Sequence, residues 1–419
     1  MLRSLLHNLE RWSPARSPRG IVNFLRLLWI LALLHGEYLI FLRAAWNCSP
    51  WPHRSHRTAD GSLDRLLLVG DPQLTDPFSY DRAGILLRIS EFYSDMYMRR
   101  NYRHLIRWLR PDGTIFMGDL MDGGREWKQD DGWKNEAARF RKVFPSDKPQ
   151  FFMVGNHDIG FGNGIQEHTV ERFQTEYGPT SYIFKTTRYS IIVIDTVSLS
   201  ATKDLASKKQ ALDVLRQALP PHPRILFTHV PLYRPDNTFC GQDRQHASPI
   251  QQGRGYQYQN LVEQRLSSKL LEHIKPVAVF SGDDHDYCAV WHTLPSSQDQ
   301  VIEVSVPTFS MAQGLLYPGA MLLDLSPSST GEDFLATKLC WLPNQIAIFM
   351  GYAYLAICSL IVLAAIHIIR SRRQQSLYSK ELLTPFNVKR KPKETRFVKD
   401  VVDIVTVGVA MYIFCIIFL

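Results

Sequence analysis

Short apolar runs that end in a tight polar turn recur along the middle of the chain. Phe151–Val154 is followed directly by Gly155 and then by Asn156, His157 and Asp158. Four further runs end in polar residues in the same way, at Asp71 and Gln73, at Asp119, at His229, and at Asp283 and His285. Because strand ends that carry amide, imidazole and carboxylate groups favour metal binding, we expect these five turns to converge on one site.

The pattern over Leu66–Asp324 alternates strand-like and helix-like segments, which is typical of an α/β layered domain. Ala83–Leu109 is amphipathic and predicts a long helix that ends before Pro111. Ser190–Asp195 is rich in β-branched residues and predicts a strand, and Leu205–Leu219 predicts another helix.

Three longer apolar stretches predict membrane spans. We divide the chain into a cytosolic tail (1–20), a first span (21–42), a lumenal linker (43–65), a lumenal domain (66–335), a second span (343–369), a basic cytosolic loop (370–400) and a third span (401–419). A cleaved signal peptide is the alternative for the first stretch. The long segment before it, and Arg43 and Trp46 after it, favour an uncleaved signal anchor.

The net charge of +8 is distributed in a way that argues against a nucleic-acid partner. Lys and Arg crowd the N-terminal tail and the stretch Arg370–Lys399, and both segments flank apolar spans. By the positive-inside rule these segments are cytosolic. The α/β domain is then expected on the other side, in the lumen of the secretory pathway.

Charged residues inside the spans have alternative interpretations. Arg26 and Asp403 lie at similar depth, so that they either form an ion pair or each reach the cytosolic interface alone. Glu37 is either a functional residue or lies near the lumenal interface and reaches water there. We favour the interfacial position for Glu37.

The order and spacing of the polar turns resemble a known family. The blocks are Asp71-x-Gln73, Gly118-Asp119-x-x-Asp122-Gly123, Gly155-Asn156-His157-Asp158, His229 and Gly282-Asp283-x-His285. In this order they resemble the metal-ligand blocks of the calcineurin-like metallophosphoesterases. The resemblance implies a four-layer α/β fold, a β-sandwich flanked by helices, to which this chain adds three transmembrane helices.

The resemblance also implies the role of each residue. Two divalent ions would share the bridging carboxylate of Asp119. The ligands of the first ion would be Asp71, Gln73, Asp119 and His285, and those of the second Asp119, Asn156, His229 and Asp283. His157 would not bind metal but would act as an acid near the leaving-group oxygen, oriented by Asp158. Such ions clamp a phosphate and lower the pKa of a bound water, which is the chemistry of phosphodiester hydrolysis.

Two ligand positions depart from the family pattern and carry information. Gln73 and Asp283 stand where histidines are usual, and their oxygen donors favour Mn²⁺ over Zn²⁺. The same departures resemble a membrane-bound branch of the family in the endoplasmic reticulum or Golgi. Members of that branch remove ethanolamine phosphate from a mannose of the GPI-anchor glycan and so aid GPI-protein maturation and ER exit.

This resemblance implies that the partners are the membrane, GPI-anchored proteins as glycan substrate, and cargo-sorting proteins. Two alternatives remain open. One is a phosphoesterase of the same fold that acts on another lumenal substrate. The other is a non-catalytic cargo-exit factor for GPI-anchored proteins.

Several residues near the blocks have both a functional and a structural interpretation. Arg125 and Arg234 could contact a phosphate oxygen or be structural. Asp284 and Asp286 could face the ammonium of ethanolamine or bond to neighbouring ligands.

The cysteines allow two disulfides in an oxidising lumen. Cys240 and Cys288 each follow a ligand block, and Cys48 and Cys340 each lie just outside a span.

Overall fold

The computed structural model divides the chain into two compact units, residues 43–344 and residues 1–42 with 345–419. It describes residues 18–52, 63–80, 82–217, 219–326, 335–381 and 397–418. The predicted N-terminal tail lies outside the described residues except for its last three, and so do residues 382–396 of the predicted basic loop.

The first sheet of the 43–344 unit has five strands in the order β13-β12-β1-β2-β3. Their bounds are β1 Arg65–Val69, β2 Gly113–Phe116, β3 Gln150–Phe152, β12 Gly319–Asp324 and β13 Ala336–Trp341. The first three run parallel, and β12 pairs antiparallel with β1 and with β13. Because β13 belongs to this sheet, the fold continues beyond residue 335, where the sequence placed the end of the domain.

The second sheet has six strands in the order β10-β11-β9-β6-β5-β4. Their bounds are β4 Tyr182–Lys185, β5 Ser190–Ile194, β6 Arg224–Thr228, β9 Ala278–Ser281, β10 Cys288–Thr293 and β11 Gln300–Ser305. Strands β5, β6, β9 and β11 are parallel neighbours, whereas the edge strands β4 and β10 are antiparallel. A two-residue hairpin, β7 Arg254–Gly255 with β8 Tyr258–Gln259, stands apart from both sheets.

The core lies between the two sheets. Leu68 and Ile115 of the first sheet belong to one buried cluster with Ile191, Phe227 and Phe280 of the second. Strands buried on both faces carry continuous apolar runs, as Leu66–Val69 does. The predicted α/β sandwich flanked by helices is confirmed.

Helices connect the parallel strands. Those of the 43–344 unit that follow β1 are α3 Gly84–Leu109, α4 Asp130–Val143, α5 Asn156–Ile159, α6 Glu167–Tyr177, α7 Thr196–Leu199, α8 Ala206–Arg216 and α9 Gln264–Ile274. Helix α3 ends at Leu109, and the next residue, Arg110, has a left-handed φ of 49°. Pro111 follows, and a proline there cannot continue a helix.

Two disulfides join Cys240 to Cys288 and Cys48 to Cys340. The indole of Trp51 also donates to the carbonyl of Leu109 at 2.8 Å. Residues 43–52, predicted as linker, therefore belong to this compact unit.

Among the described residues, three helical stretches are long and apolar enough to cross a membrane: Arg19–Cys48, Gln345–Ser376 and Phe397–Phe418. The first comprises α1 Pro18–Leu34, a π-helical turn at His35–Leu39 and α2 Ile40–Cys48, and the others lie in α10 Gln345–Glu381 and α11 Phe397–Phe418. These helices indicate a membrane protein.

Three of the intramembrane charges have partners within the unit of residues 1–42 and 345–419. A guanidinium nitrogen of Arg26 lies 3.1 Å from a carboxylate oxygen of Asp403, so that the pairing alternative is the one observed. Glu37 is buried and accepts a hydrogen bond of 2.8 Å from the Tyr352 hydroxyl. Our expectation that Glu37 reaches water is therefore wrong, because the π-helical turn directs it to a neighbouring helix.

Candidate metal centre

The predicted ligands all follow the carboxyl ends of parallel strands. Asp71 and Gln73 follow β1, Asp119 follows β2, and Asn156 begins the short helix after β3. His229 follows β6, and Asp283 and His285 follow β9 of the second sheet. Because the two sheets pack face to face, these ends meet at one edge of the sandwich.

Three acceptor oxygens converge on one nitrogen of His229. Its Nε2 lies 3.2 Å from Oδ1 of Asn156, 3.3 Å from Oδ1 of Asp119 and 3.5 Å from Oδ1 of Asp283. These are the four residues predicted for the second ion. One nitrogen and three oxygens from four separate loops make a donor set that suits a divalent cation.

The other ring nitrogen of His229 sets the orientation of the imidazole. Its Nδ1 lies 2.8 Å from the carbonyl of Met117, so that Nδ1 carries the proton and donates it there. Metal-binding histidines commonly donate their second N–H to a carbonyl in this way. Nε2 is then left to bind a cation.

The group predicted for the first ion is assembled around Asp119. The side-chain amide of Gln73 donates to Asp119 Oδ2 at 3.0 Å, and its Oε1 is buried with no hydrogen-bond partner among the described residues. A buried amide oxygen without a donor is costly, and a cation would satisfy it. Asp71, Asp119 and His229 each offer a ligand atom within 4.8 Å of the others.

For His285, the structure gives a backbone hydrogen bond and the direction in which the pKa of the ring is shifted. Its carbonyl accepts from the amide of Thr308 at 2.8 Å. Burial lowers the pKa of the His285 ring, against the attraction of Asp283 and Asp119. A neutral imidazole is the form that binds metal.

The backbone is strained at five of the seven predicted ligands. Positive φ angles occur at Asp71 (35°), Gln73 (36°), Asp119 (49°), Asp283 (64°) and His285 (66°). Residues with a side chain adopt this region rarely, at a cost of about 1–3 kcal/mol each, and such strain clusters at functional sites. The strained residues are therefore concentrated in the loops that carry the predicted ligands.

Two block glycines are required by close packing. A Cβ on Gly155 would lie 2.1 Å from Asp119 Oδ1, and a Cβ on Gly118 would lie 2.4 Å from His229 Nδ1. Both distances are far inside van der Waals contact. The glycines therefore let the ligand loops approach each other.

The charges of the site favour a cation at its centre. Burial opposes ionisation of Asp119, but the rings of His229 and His157 outweigh it and lower the pKa of this carboxyl. Burial disfavours the charged His229 ring, yet Asp119 and Asp283 raise its pKa well above the ordinary value. Positive charge is thus stabilised at the nitrogen on which the oxygens converge.

The partner of the predicted acid is Asp122, not Asp158. Nδ1 of His157 lies 2.5 Å from the carbonyl of Asp122 and 3.5 Å from its Oδ1. The Asp158 carboxylate instead accepts from the amides of Leu120 and Gly155, at 2.9 and 2.8 Å. The expectation that Asp158 orients His157 is corrected, because adjacent residues of the α5 turn point in different directions.

Asp158 has a structural function of its own. Its two oxygens tie the loop after β2 to the loop after β3, which together supply the shared ligand Asp119 and Asn156. Burial, and then the charge of Asp119, raise the pKa of Asp158 to about 7.

The two arginines considered for phosphate binding have structural contacts. Arg125 donates to the carbonyl of Asn156 at 2.9 Å and so supports a predicted ligand. Arg234 is buried and pairs with Glu303 at 2.9 Å, and Glu303 also accepts from the His292 ring at 2.6 Å. Burial opposes this charge, but Arg234 and His292 lower the pKa of Glu303 to about 2.

The acids considered for ethanolamine recognition are also satisfied within the protein. Asp284 pairs with the guanidinium of Arg244 through both of its oxygens. Asp286 is buried and accepts from the amides of Gln245 and His246 at 2.9 and 2.7 Å. Both acids hold the 244–246 segment rather than a ligand of the site.

Sequence reasoning missed Asp122 and Asp76. Asp76 is buried, and its Oδ2 accepts from the amide of Gly123 at 2.8 Å. Asp122 stands inside a block that was quoted for the resemblance, which was a usable signal. Asp76 lies outside the blocks, and no comparable signal marked it.

Comparison with known proteins agrees with this site. The family model described as "Calcineurin-like phosphoesterase" matches residues 64–287. "Cell division control protein 1" of Saccharomyces cerevisiae is 33% identical over 373 residues, which cover 83% of this chain and 74% of the yeast protein. "Metallophosphoesterase 1 homolog" of Caenorhabditis elegans is 27% identical, and the match covers 83% of this chain and 92% of the length of the Caenorhabditis elegans protein.

A vertebrate relative, "Metallophosphoesterase 1" of Ailuropoda melanoleuca, is 25% identical over 82% of this chain and 88% of its own. The family match spans more than half of the chain and includes every predicted ligand. The chain belongs to the calcineurin-like phosphoesterases and is a metal-dependent phosphoesterase.

Proposed function

We propose that this chain is a two-metal phosphodiesterase that removes ethanolamine phosphate from a mannose of the GPI-anchor glycan. The observation that carries the proposal is the donor set, in which Gln73 and Asp283 occupy positions where the family usually has histidine. That substitution pattern resembles the GPI-remodelling branch. Both side chains lie in the site, with Gln73 on Asp119 and Asp283 on His229.

The proposed cofactor is a pair of divalent ions, with Mn²⁺ favoured. One ion would be held by Asp119, Asn156, His229 and Asp283, and the other by Asp71, Gln73, Asp119 and His285. When bound, the ions supply charge neutralisation of the phosphate and a water of lowered pKa. Oxygen donors at positions 73 and 283 make the site hard, which suits Mn²⁺ better than Zn²⁺.

His157 supplies the proton of the proposed reaction. The attacking water loses one proton to solvent as its oxygen bonds to phosphorus, the bond from phosphorus to the mannose oxygen breaks, and the products are ethanolamine phosphate and the free mannose hydroxyl. Because Nδ1 of His157 faces Asp122, Nε2 is the nitrogen that gives a proton to the mannose oxygen. The amide of His157 donates to Asp119 Oδ1 at 2.8 Å and couples this acid to the metal ligands.

The proposed location is the membrane of the endoplasmic reticulum or Golgi, with the catalytic domain in the lumen. The support is the sequence itself: basic residues flank the spans on the side opposite to the domain. The two disulfides suit an oxidising compartment. The proposed partners are GPI-anchored proteins and cargo-sorting proteins that carry them onward.

Mass spectrometry of GPI glycans tests the proposal. Cells that lack the chain should retain ethanolamine phosphate on a mannose from which the unmodified protein removes it. Asp119→Asn should fail to restore the glycan even when expressed at an equal level, because the carboxylate shared by the two ligand groups is lost. If Asp119→Asn restores exit of GPI-anchored proteins, the chain is a cargo-exit factor and the enzymatic proposal is wrong.

A further inference from the structure

An aromatic cluster with two exposed rings and one half-buried ring stands beside the proposed proton donor. We call it the aromatic wall: Phe78, Tyr80 and Trp127. The side chains of Phe78 and Tyr80 are 50% and 48% exposed. The rings of Phe78 and Trp127 meet edge to face with centroids 5.1 Å apart. Exposed aromatic rings next to a catalytic site commonly mark a binding surface.

The segment that carries the wall is held rigidly. Asp76 accepts from the amide of Phe78 at 2.9 Å and from the amide of Gly123 at 2.8 Å. The Asp76 amide donates to the Ser79 hydroxyl at 3.0 Å, and the Ser79 amide donates back to the Asp76 carbonyl. Phe78 therefore stays exposed because the buried Asp76 fixes its backbone, and its ring is pre-organised.

The wall is connected directly to the proton donor. The 74–80 segment runs along the loop after β2, where the amide of Asp122 donates to the Leu74 carbonyl at 3.1 Å. A Cβ on Gly123 would lie 2.7 Å from the Phe78 ring, so that the ring packs on the residue after Asp122. Asp122 in turn bonds to the His157 ring.

Tyr80 forms the other end of the aromatic wall and is held there by a hydrogen bond. Its hydroxyl donates to the carbonyl of Ala312 at 2.6 Å. Burial, together with the charge of Asp122, raises the pKa of Tyr80 to about 12. Its hydroxyl therefore remains a neutral donor.

We propose that the aromatic wall binds the sugar ring of the leaving group. This inference rests on the proposed function, in which His157 protonates the mannose oxygen. The sugar must then lie on the His157 side of the phosphate, and Phe78 is an exposed ring on that side, packed on the residue after Asp122. One face of a hexose presents C–H groups that pack on the electron-rich face of an aromatic ring.

The test compares two diesters that share the ethanolamine phosphate and differ in the leaving alcohol. One is a methyl mannoside that carries ethanolamine phosphate, and the other is methyl 2-aminoethyl phosphate. In the full chain in detergent, Phe78→Ala should lower kcat/KM about tenfold for the sugar diester and leave the methyl diester unchanged. Phe78→Tyr should restore most of the loss.

A matched control removes an exposed aromatic ring at the opposite end of the sheet. Trp291 on β10 is 65% exposed and lines a surface cavity with Pro223 and Val277, which precede β6 and β9. Trp291→Ala should change neither diester. Equal losses on both diesters in Phe78→Ala would make the ring structural and overturn the proposal.

Sugar binding is measured separately from turnover. Saturation transfer from protein to methyl α-mannoside should be strong in the unmodified chain and in Trp291→Ala, and weak in Phe78→Ala. If saturation transfer to methyl α-mannoside depends on Phe78 but the sugar diester is not cleaved, the proposed function is refuted and sugar binding by the aromatic wall is retained. If the sugar diester is cleaved but saturation transfer does not depend on Phe78, the proposed function is retained and sugar binding by the aromatic wall is refuted. A loss seen only with lipid-linked substrate in nanodiscs would assign the rings to membrane contact and also overturn the proposal.

Discussion

A single methyl group at Gly155 should disassemble the metal centre. The backbone of Gly155 is extended, with φ −116° and ψ 176°, so that alanine meets no conformational penalty there. The obstacle is contact: the new Cβ would lie 2.1 Å from Asp119 Oδ1 and 2.4 Å from Asp119 N. The loops after β2 and β3 are thus forced apart at the ligand that both ion sites share.

The size of the effect follows from these distances. A carbon and an oxygen atom in ordinary contact are about 3.3 Å apart, so Gly155→Ala must displace Asp119 or its neighbour by about 1 Å. Overpacking of this kind costs about 1–3 kcal/mol of stability. A 1 Å misplacement near the chemistry costs about 10²-fold in rate. We expect a folded protein with much less metal and kcat/KM lower by about 10²-fold.

The predicted losses of metal and of kcat/KM in Gly155→Ala are measured on the full chain in detergent. Metal per chain is determined after equilibration with Mn²⁺, and hydrolysis of a generic aryl phosphodiester gives the rate. Gly351→Ala is the matched control, because a Cβ there meets nothing within 4 Å. If Gly155→Ala keeps its metal and turns over within about threefold of the unmodified protein, the steric reasoning is refuted.

Three further predictions concern charge. Glu303→Gln removes the buried anionic partner of Arg234 and should lower the free energy of unfolding by about 3–5 kcal/mol. Glu263→Gln, which removes one partner of an exposed ion pair, should lower it by less than about 1 kcal/mol. Denaturant titration measures both values. Burial raises the pKa of Glu136 from 4.5 to about 7, so the folded state binds the extra proton and stability falls as pH rises through that window. Glu136→Gln should flatten this fall in Tm; an unchanged slope would contradict the assignment. His157→Ala should keep its metal and lose about 10²–10⁴ in kcat, whereas Asp119→Ala should lose the metal. Metal loss from the first variant would make His157 a ligand.

The sequence was most informative at the strand ends. Runs such as Leu66–Val69 must be strands buried on both faces, and parallel strands align their carboxyl ends at one edge. Polar residues that follow such runs are therefore brought together by topology alone. This is why the polar turns could be expected to converge on one site before any distance was known, whereas the grouping of Asn156, Asp119 and Asp283 with His229 was implied by the family resemblance and agrees with the observed distances.

Side-chain direction within a turn could not be predicted in the same way. The family resemblance implied that Asp158, the next residue along the chain, orients His157. In the one-turn helix the two side chains diverge, and Asp158 caps the backbone of Gly155 while Asp122 reaches the ring from another loop. Spacing along a sequence does not contain that information.

Buried polar residues in a span were equally hard to place. A hydropathy profile shows that Glu37 is a polar residue within an apolar span, but it does not show which helix the side chain faces. The π-helical turn at His35–Leu39 adds a residue to the turn, and that local geometry decides that Glu37 meets Tyr352. For Arg26 and Asp403, similar depth made an ion pair one of two alternatives, and only the structure showed that the pair forms.

The disulfide between Cys48 and Cys340 makes residues 48–340 a closed covalent ring with a sequence separation of 292. Such a ring cannot close until its last cysteine has been synthesised. At about 5–20 residues per second, closure trails the appearance of Cys48 by roughly 15–60 s. When Cys340 is added, every strand of the second sheet has been synthesised, and of the first sheet only β13, which carries Cys340, is unfinished. The bond therefore closes on a chain in which nearly all of the strands are already present. A protease cut anywhere inside the ring would leave one covalent piece, which separates into two only after reduction.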